Sequence, residues 1–231
     1  MTPPRGRPRP RPRRRRRSLP ALLAGIACVG VGLMAARLAA EEALAVVVDQ
    51  AVLARSPAAR DAALEAYGDR PPATLPPRAL APLAQLAINA AQSAATPELR
   101  ALDVARAGAM VGQLRRDRPD WDATCLLTAQ LDRISHAGAT PAAIAAVAKS
   151  YRLRPFCAGC AAWRIAFARL YWTALDPATR AAAIEEAVWQ TRYDNGRRSA
   201  YERLLGNSPA GVAYQLRMSG VGQGAAGGVS R

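Results

Sequence analysis

The chain has 231 residues and a formal charge of +15, with Lys149 the single lysine among 32 basic residues. Nine arginines between Arg5 and Arg17 carry most of that excess: +15 less nine leaves +6 on residues 18–231. A dispersed nucleic-acid-binding surface is therefore disfavoured, and no folded basic patch or aromatic platform accompanies the arginine cluster. Residues 1–18 repeat Arg and Pro and are expected to form an extended, solvated tail that builds no core. Beside a membrane such arginines attract anionic lipid, at roughly 1 kcal/mol each, or serve only to set topology.

Residues 19–36 follow as eighteen uncharged positions. As a helix they reach about 27 Å, close to the hydrocarbon thickness of a bilayer. They read as a transmembrane helix, an uncleaved anchor in preference to a signal peptide or a lipoprotein box at Cys28. Ala21, Gly25, Cys28 and Gly32 are small residues at spacings that permit close helix contact, without fixing an oligomeric state. With nine arginines on the amino side and only Arg37 and Arg55 before Arg60 on the other, the positive-inside rule predicts a cytoplasmic N-terminus. Residues 37–231 are then expected in the periplasm of a bacterium, anchored in the inner membrane.

Residues 37–68 read as a juxtamembrane amphipathic helix, with Glu42 and Asp49 on one face and Leu44, Val47, Val48, Val52 and Leu53 mostly on the other. Four prolines within residues 69–77 predict a stiff linker and the best domain boundary. Residues 78–205 then read as helical hairpins: 80–94, about 97–116, 121–137, 140–154, 156–175, about 177–193 and a short 198–205. Thr96 and Asp176 stand as N-caps before Pro97 and Pro177. No strand-type alternation appears, so the fold class is all-α: a transmembrane helix followed by an antiparallel array of helical hairpins. Residues 206–231, rich in Gly and Ser, are expected to be a flexible tail.

Pro119-Asp120-Trp121 and Pro155-Phe156-Cys157 stand 36 residues apart, each before a helix–turn–helix. The first unit places Leu127, Leu131, Ile134, Gly138, Ala143 and Val147 before its closing Pro155. The second places Trp163, Ala166, Phe167 and Leu170 before a turn near Asp176-Pro177. Large residues in one helix, alanines in the next and a closing proline resemble the tetratricopeptide (TPR) repeat, whose period is about 34. The resemblance covers residues 78–205 loosely and 119–193 best, and departs from the pattern at Gln130, Ser150 and Ala166. More faintly, Leu153 to Ile165, with Trp172 and Leu175-Asp176-Pro177, is similar to TPR-like segments of bacterial envelope proteins associated with exopolysaccharide or O-antigen assembly. These resemblances imply protein binding in the cell envelope and no catalytic motif.

Cys157-Ala-Gly-Cys160 lies at an expected helix N-terminus, where the dipole makes a thiol more reactive. Three readings stay open: packing, a structural disulfide in which Cys125 is a further candidate partner, and redox catalysis. Cys125 and His136, with the pair, count as a Cys₃His set. They lie on one helix about 16 Å apart along its axis, too far to share a tetrahedral ion. No metal or other cofactor is therefore expected. His136, the only histidine, more simply complements a helix C-terminus. Trp163, Phe167 and Leu170 share a face suited to the core. Arg164 and Tyr171 share another, which is either solvated or the candidate partner-binding face. The reading is a membrane-anchored, non-enzymatic scaffold or adaptor for an envelope protein partner. The alternative is a periplasmic thiol–disulfide oxidoreductase using Cys157 and Cys160.

Overall fold

The computed structural model describes residues 19–226, with side chains from residue 22 to residue 220. The expected Arg/Pro tail and the last five residues lie outside them. Among the described residues there are ten α-helices and three short 3-10 turns, with no strand. Two compact units meet between Ala43 and Leu44.

The first unit is the leading part of α1 (Leu19–Ala54). Its apolar side chains, from Leu22 to Leu38, stand exposed. The 33 residues Leu22–Ala54 are long and apolar enough to cross a membrane. Arg37 pairs with Glu41 at 2.8 Å, one helical turn on, a spacing at which opposite charges support a helix.

The second unit begins inside the same helix, which runs on from the apolar span into the juxtamembrane segment. α1 stops at Arg55, whose φ of 50° is left-handed. Pro57 holds Ser56 extended and opens α2 (Pro57–Tyr67). The expected helix over residues 37–68 is thus divided at Arg55–Ser56, within one compact unit. Ala45, Val48 and Ala51 of α1 are buried, whereas Val47 and Leu53, expected on the apolar face, point outward.

The proline-rich segment also differs from expectation. Pro72–Thr74 forms a 3-10 turn, Leu75 is buried, and Asp69 pairs with Arg106 at 2.8 Å. Rather than dividing domains, the segment passes over one core. Val48, Ala51, Ala63 and Leu64 on one side of it share a cluster with Leu80, Leu83, Met110 and Leu114 on the other.

Six helices then follow: α3 (Pro77–Ser93), α4 (Pro97–Asp117), α5 (Asp122–Ser135), α6 (Pro141–Leu153), α7 (Ala161–Leu170) and α8 (Pro177–Tyr193). α3 packs with α4, α5 with α6 and α7 with α8. Their starts follow simple chemistry. Thr96, Thr140 and Asp176 accept hydrogen bonds from the backbone N–H of Leu99, Ala143 and Thr179, each with proline in the first turn. α7 begins five residues later than the sequence suggests, because Phe156 has a left-handed φ of 59° and residues 157–160 form a bridged turn. Phe167 is core, but Trp163 is half-buried and Leu170 is exposed.

The expected C-terminal tail is structured as far as it is described. After α9 (Arg198–Leu205), Gly206 turns the chain at a φ of 52°, and α10 (Pro209–Ala226) packs against α7, α8 and α9. Ala210 and Tyr214 are buried, and Met218 packs on the same cluster. The Tyr214 hydroxyl lies 2.8 Å from Thr191 Oγ1. Gly211 is required by close approach: a Cβ there would sit 2.0 Å from the Gly206 carbonyl oxygen.

Candidate functional site

The turn between α6 and α7 is held by a buried ion pair. Arg164 of α7 and Glu186 of α8 have side chains 0% and 1% exposed. Arg164 Nε donates to Glu186 Oε2 at 3.0 Å and Nη2 donates to Oε1, a two-pronged contact. Arg164 Nη1 donates to the carbonyls of Ser150 and Arg154 at 3.3 and 2.9 Å, the first of which also accepts the Arg154 N–H that closes α6. Glu186 Oε1 also accepts the backbone N–H of Cys157 at 2.8 Å. The Tyr151 ring lies 4.1 Å from the guanidinium carbon. Burial, and next the Glu186 charge, push the Tyr151 phenol well above its ordinary range.

Arg164 is core, which removes it from a partner-facing surface; a neighbouring carboxylate and two backbone carbonyls compensate its charge. Tyr171 is half-buried against Phe167, with ring centres 4.7 Å apart. It lines a separate cavity of about 350 Å³ with Arg100, Arg133 and His136. The expected Arg164–Tyr171 face is therefore not formed. Cys157 and Cys160 are joined to each other by a disulfide. Cys125 is buried and unbonded, and burial is the main cause raising its thiol above the ordinary range. His136 ends α5, with Nδ1 3.0 Å from the Asp132 carbonyl oxygen. Among the described residues no group of three or more His, Cys, Asp or Glu side chains is placed to hold a metal ion.

The bridged turn forms one wall of a groove of about 590 Å³. Its long walls are α3 and α5, with the start of α7 and the last turns of α1 closing it. α3 contributes Ala81, Gln85, Asn89 and Gln92 from one face, and α5 contributes Leu126, Leu127 and Gln130. Trp121 and Trp163 add aromatic surface, Asp49, Arg78 and Arg133 add charge, and Gly159-Cys160 completes the lining. Gln85 Nε2 donates to both Asn89 Oδ1 and Gln130 Oε1, at 3.0 and 2.8 Å. That amide chain crosses from α3 to α5 and fixes three polar heads among apolar walls, the composition of a recognition site. Arg118 lies 5.6 Å from the Trp121 ring centre, and Trp163 lies 5.3 Å from Phe167, so both indoles are held from behind.

Sequence reasoning missed Gln85, Asn89, Gln92 and Gln130. A signal existed in the first three, whose spacing of four and then three makes one polar stripe on a helix whose other residues are mostly Ala and Leu. Glu186 carries no such signal, since only the fold shows which of Glu185 and Glu186 turns inward. Comparison with protein-family models, with curated proteins and with solved structures finds no match.

Proposed function

We propose that this chain is a membrane-anchored, non-enzymatic scaffold of the bacterial envelope whose helical domain seats a partner protein in the α3–α5–α7 groove. One observation carries the reading. α3, α5 and α7, the first members of three successive helix pairs, supply side chains to one groove lined by amides, tryptophans and aliphatic surface. This supports a TPR-like arrangement in which first helices face the ligand and second helices form the outer layer. Side-chain amides complement main-chain N–H and C=O groups, and held aromatics give binding area at low entropic cost. The apolar helix and its arginine flank support a single span with the domain in the periplasm. A role in polysaccharide synthesis or export rests on the wording of residues 153–177 alone.

The test is a photo-crosslinking amino acid at Gln92, in the groove, and at Arg115, exposed on α4, with the chain in its native membrane. A discrete adduct from Gln92 only, weakened by Trp121→Ala, is expected. No adduct, or the same adducts from both positions, would sink the proposal. The Cys157–Cys160 bond opening on the groove favours a second reading, a thiol–disulfide oxidoreductase. It predicts net oxidation or reduction of added substrate cysteines, abolished by the double change Cys157→Ala, Cys160→Ala.

A further inference from the structure

We propose that the Cys157–Cys160 bond exchanges with a cysteine of the polypeptide seated in the groove, and that the sulfur attacked is Cys160, which then holds the partner covalently. The inference rests on the groove being the partner-binding surface. It deepens that reading by giving the partner a chemical requirement, a free cysteine within reach of the α7 end of the groove.

The two sulfurs are not equivalent. Cys160 lines the groove and is half-buried, whereas Cys157 is buried beneath the turn. A thiolate arriving through the groove therefore meets Cys160. Its lone pair forms the new S–S bond to Cys160 Sγ, the Cys157–Cys160 bond breaks, and the bonding pair leaves on Cys157 Sγ. The partner sulfur rises to the disulfide level as Cys157 falls to the thiolate, so no outside oxidant or reductant enters. Cys157 is built to receive that charge. The backbone N–H of Cys160 donates to Cys157 Sγ at 3.2 Å, and the sulfur precedes the N-terminus of α7, whose dipole favours an anion. The nearby Glu186 carboxylate does not stand as an open charge, because Arg164 pairs both of its oxygens. The same Glu186 ties down the Cys157 backbone N–H, so the expelled thiolate stays beside Cys160 and its return attack releases the partner. Exchange is thus reversible, and the groove sets which protein is captured.

The order of attack is opposite to one in which the first cysteine of the pair is exposed, and this makes the test sharp. The full-length chain, in membranes and with Cys28→Ser to remove the thiol of the span, is incubated with biotinylated glutathione, quenched with acid and mapped by mass spectrometry. Glutathione is expected on Cys160 of the otherwise intact chain. Adducts on Cys157 would overturn the proposal. With Cys157→Ser, Cys160 should react with biotinylated oxidised glutathione at least about tenfold faster than Cys157 does with Cys160→Ser, because access governs exchange. Equal rates would overturn it, provided buried Cys125 stays unlabelled as a sign of intact folding. Should Cys125 label, the mapping on the intact chain decides. In membranes, Cys157→Ser already carrying glutathione on Cys160 is expected to exchange it for the partner cysteine, releasing glutathione and trapping a mixed disulfide with the same protein that the Gln92 photoadduct captures. A photoadduct without that disulfide defeats the exchange and leaves the groove reading standing; absence of both defeats both.

Discussion

Arg164 shows how one side chain can be misplaced by sequence and still explain the site. A helical wheel puts it beside Tyr171 on a polar face, yet the fold buries it with Glu186, a residue 22 positions on. Removing one partner of such a pair leaves an uncompensated charge in the core. Glu186→Ala should therefore cost about 3–5 kcal/mol by denaturant unfolding, whereas Arg164→Met with Glu186→Leu should cost much less. A double change as damaging as the single one would show that the two residues do not act as a unit. Trp163 is half-buried, so Trp163→Ala should weaken groove binding more than stability and fall short of the roughly 3–5 kcal/mol of a fully buried indole. Tyr151 supplies a pH signature. Its phenol stays protonated in the folded chain after an unfolded tyrosine, near 10, has ionised. Stability is then full below pH 10 and falls as pH rises above it. Tyr151→Phe should flatten that alkaline loss in melting curves; an unchanged slope would assign the loss to other groups.

Helix starts were the most legible part of the sequence. Thr96, Thr140 and Asp176, each before a proline, mark α4, α6 and α8 within a residue, because capping is local chemistry. Asp176 also predicts an acid limb. The hydroxyl and backbone N–H of Thr179 hold its carboxyl below the ordinary 3.8. Its contribution is present above that value and lost as pH falls through the folded one, so Asp176→Asn should reduce the acid slope of α8 unfolding. Helix ends and contacts between distant segments were less legible. The Gly- and Ser-rich wording after Gly206 concealed Ala210, Tyr214 and Met218, three residues at a spacing of four that only a waiting apolar surface turns into a helix face. Tyr214→Ala should cost about 3–5 kcal/mol, near the value for other buried aromatics, and Gly211→Ala should also destabilise, because its Cβ would meet the Gly206 carbonyl. A C-terminal segment that melts before the rest would contradict both. The groove was half legible: Trp121, Trp163 and Cys160 stood out as residue types, whereas the amide chain from Gln85 to Gln130 requires the packing of α3 on α5.

At the scale of the whole chain, the proposed topology rests on the arginine flank of the apolar helix. A reporter active only outside the cytoplasm, fused after Arg231, should give signal, and neutralising Arg13 to Arg17 should weaken it. Signal from a cytoplasm-only reporter would reverse the orientation. The same domain has three apolar clusters, centred on α3–α4, on α5–α8 and on α7–α10, with Arg164 bonded to the end of α6 and to α8 between the last two. Parting α7 from α8, which both clusters share, would strand the guanidinium and the carboxylate without their counterions, so local opening there is strongly disfavoured. The Cys157 amide proton, bonded to Glu186 and far from any helix interior, should then exchange with deuterium only through events that also expose Tyr214. A loop hydrogen would keep the slow time of the core.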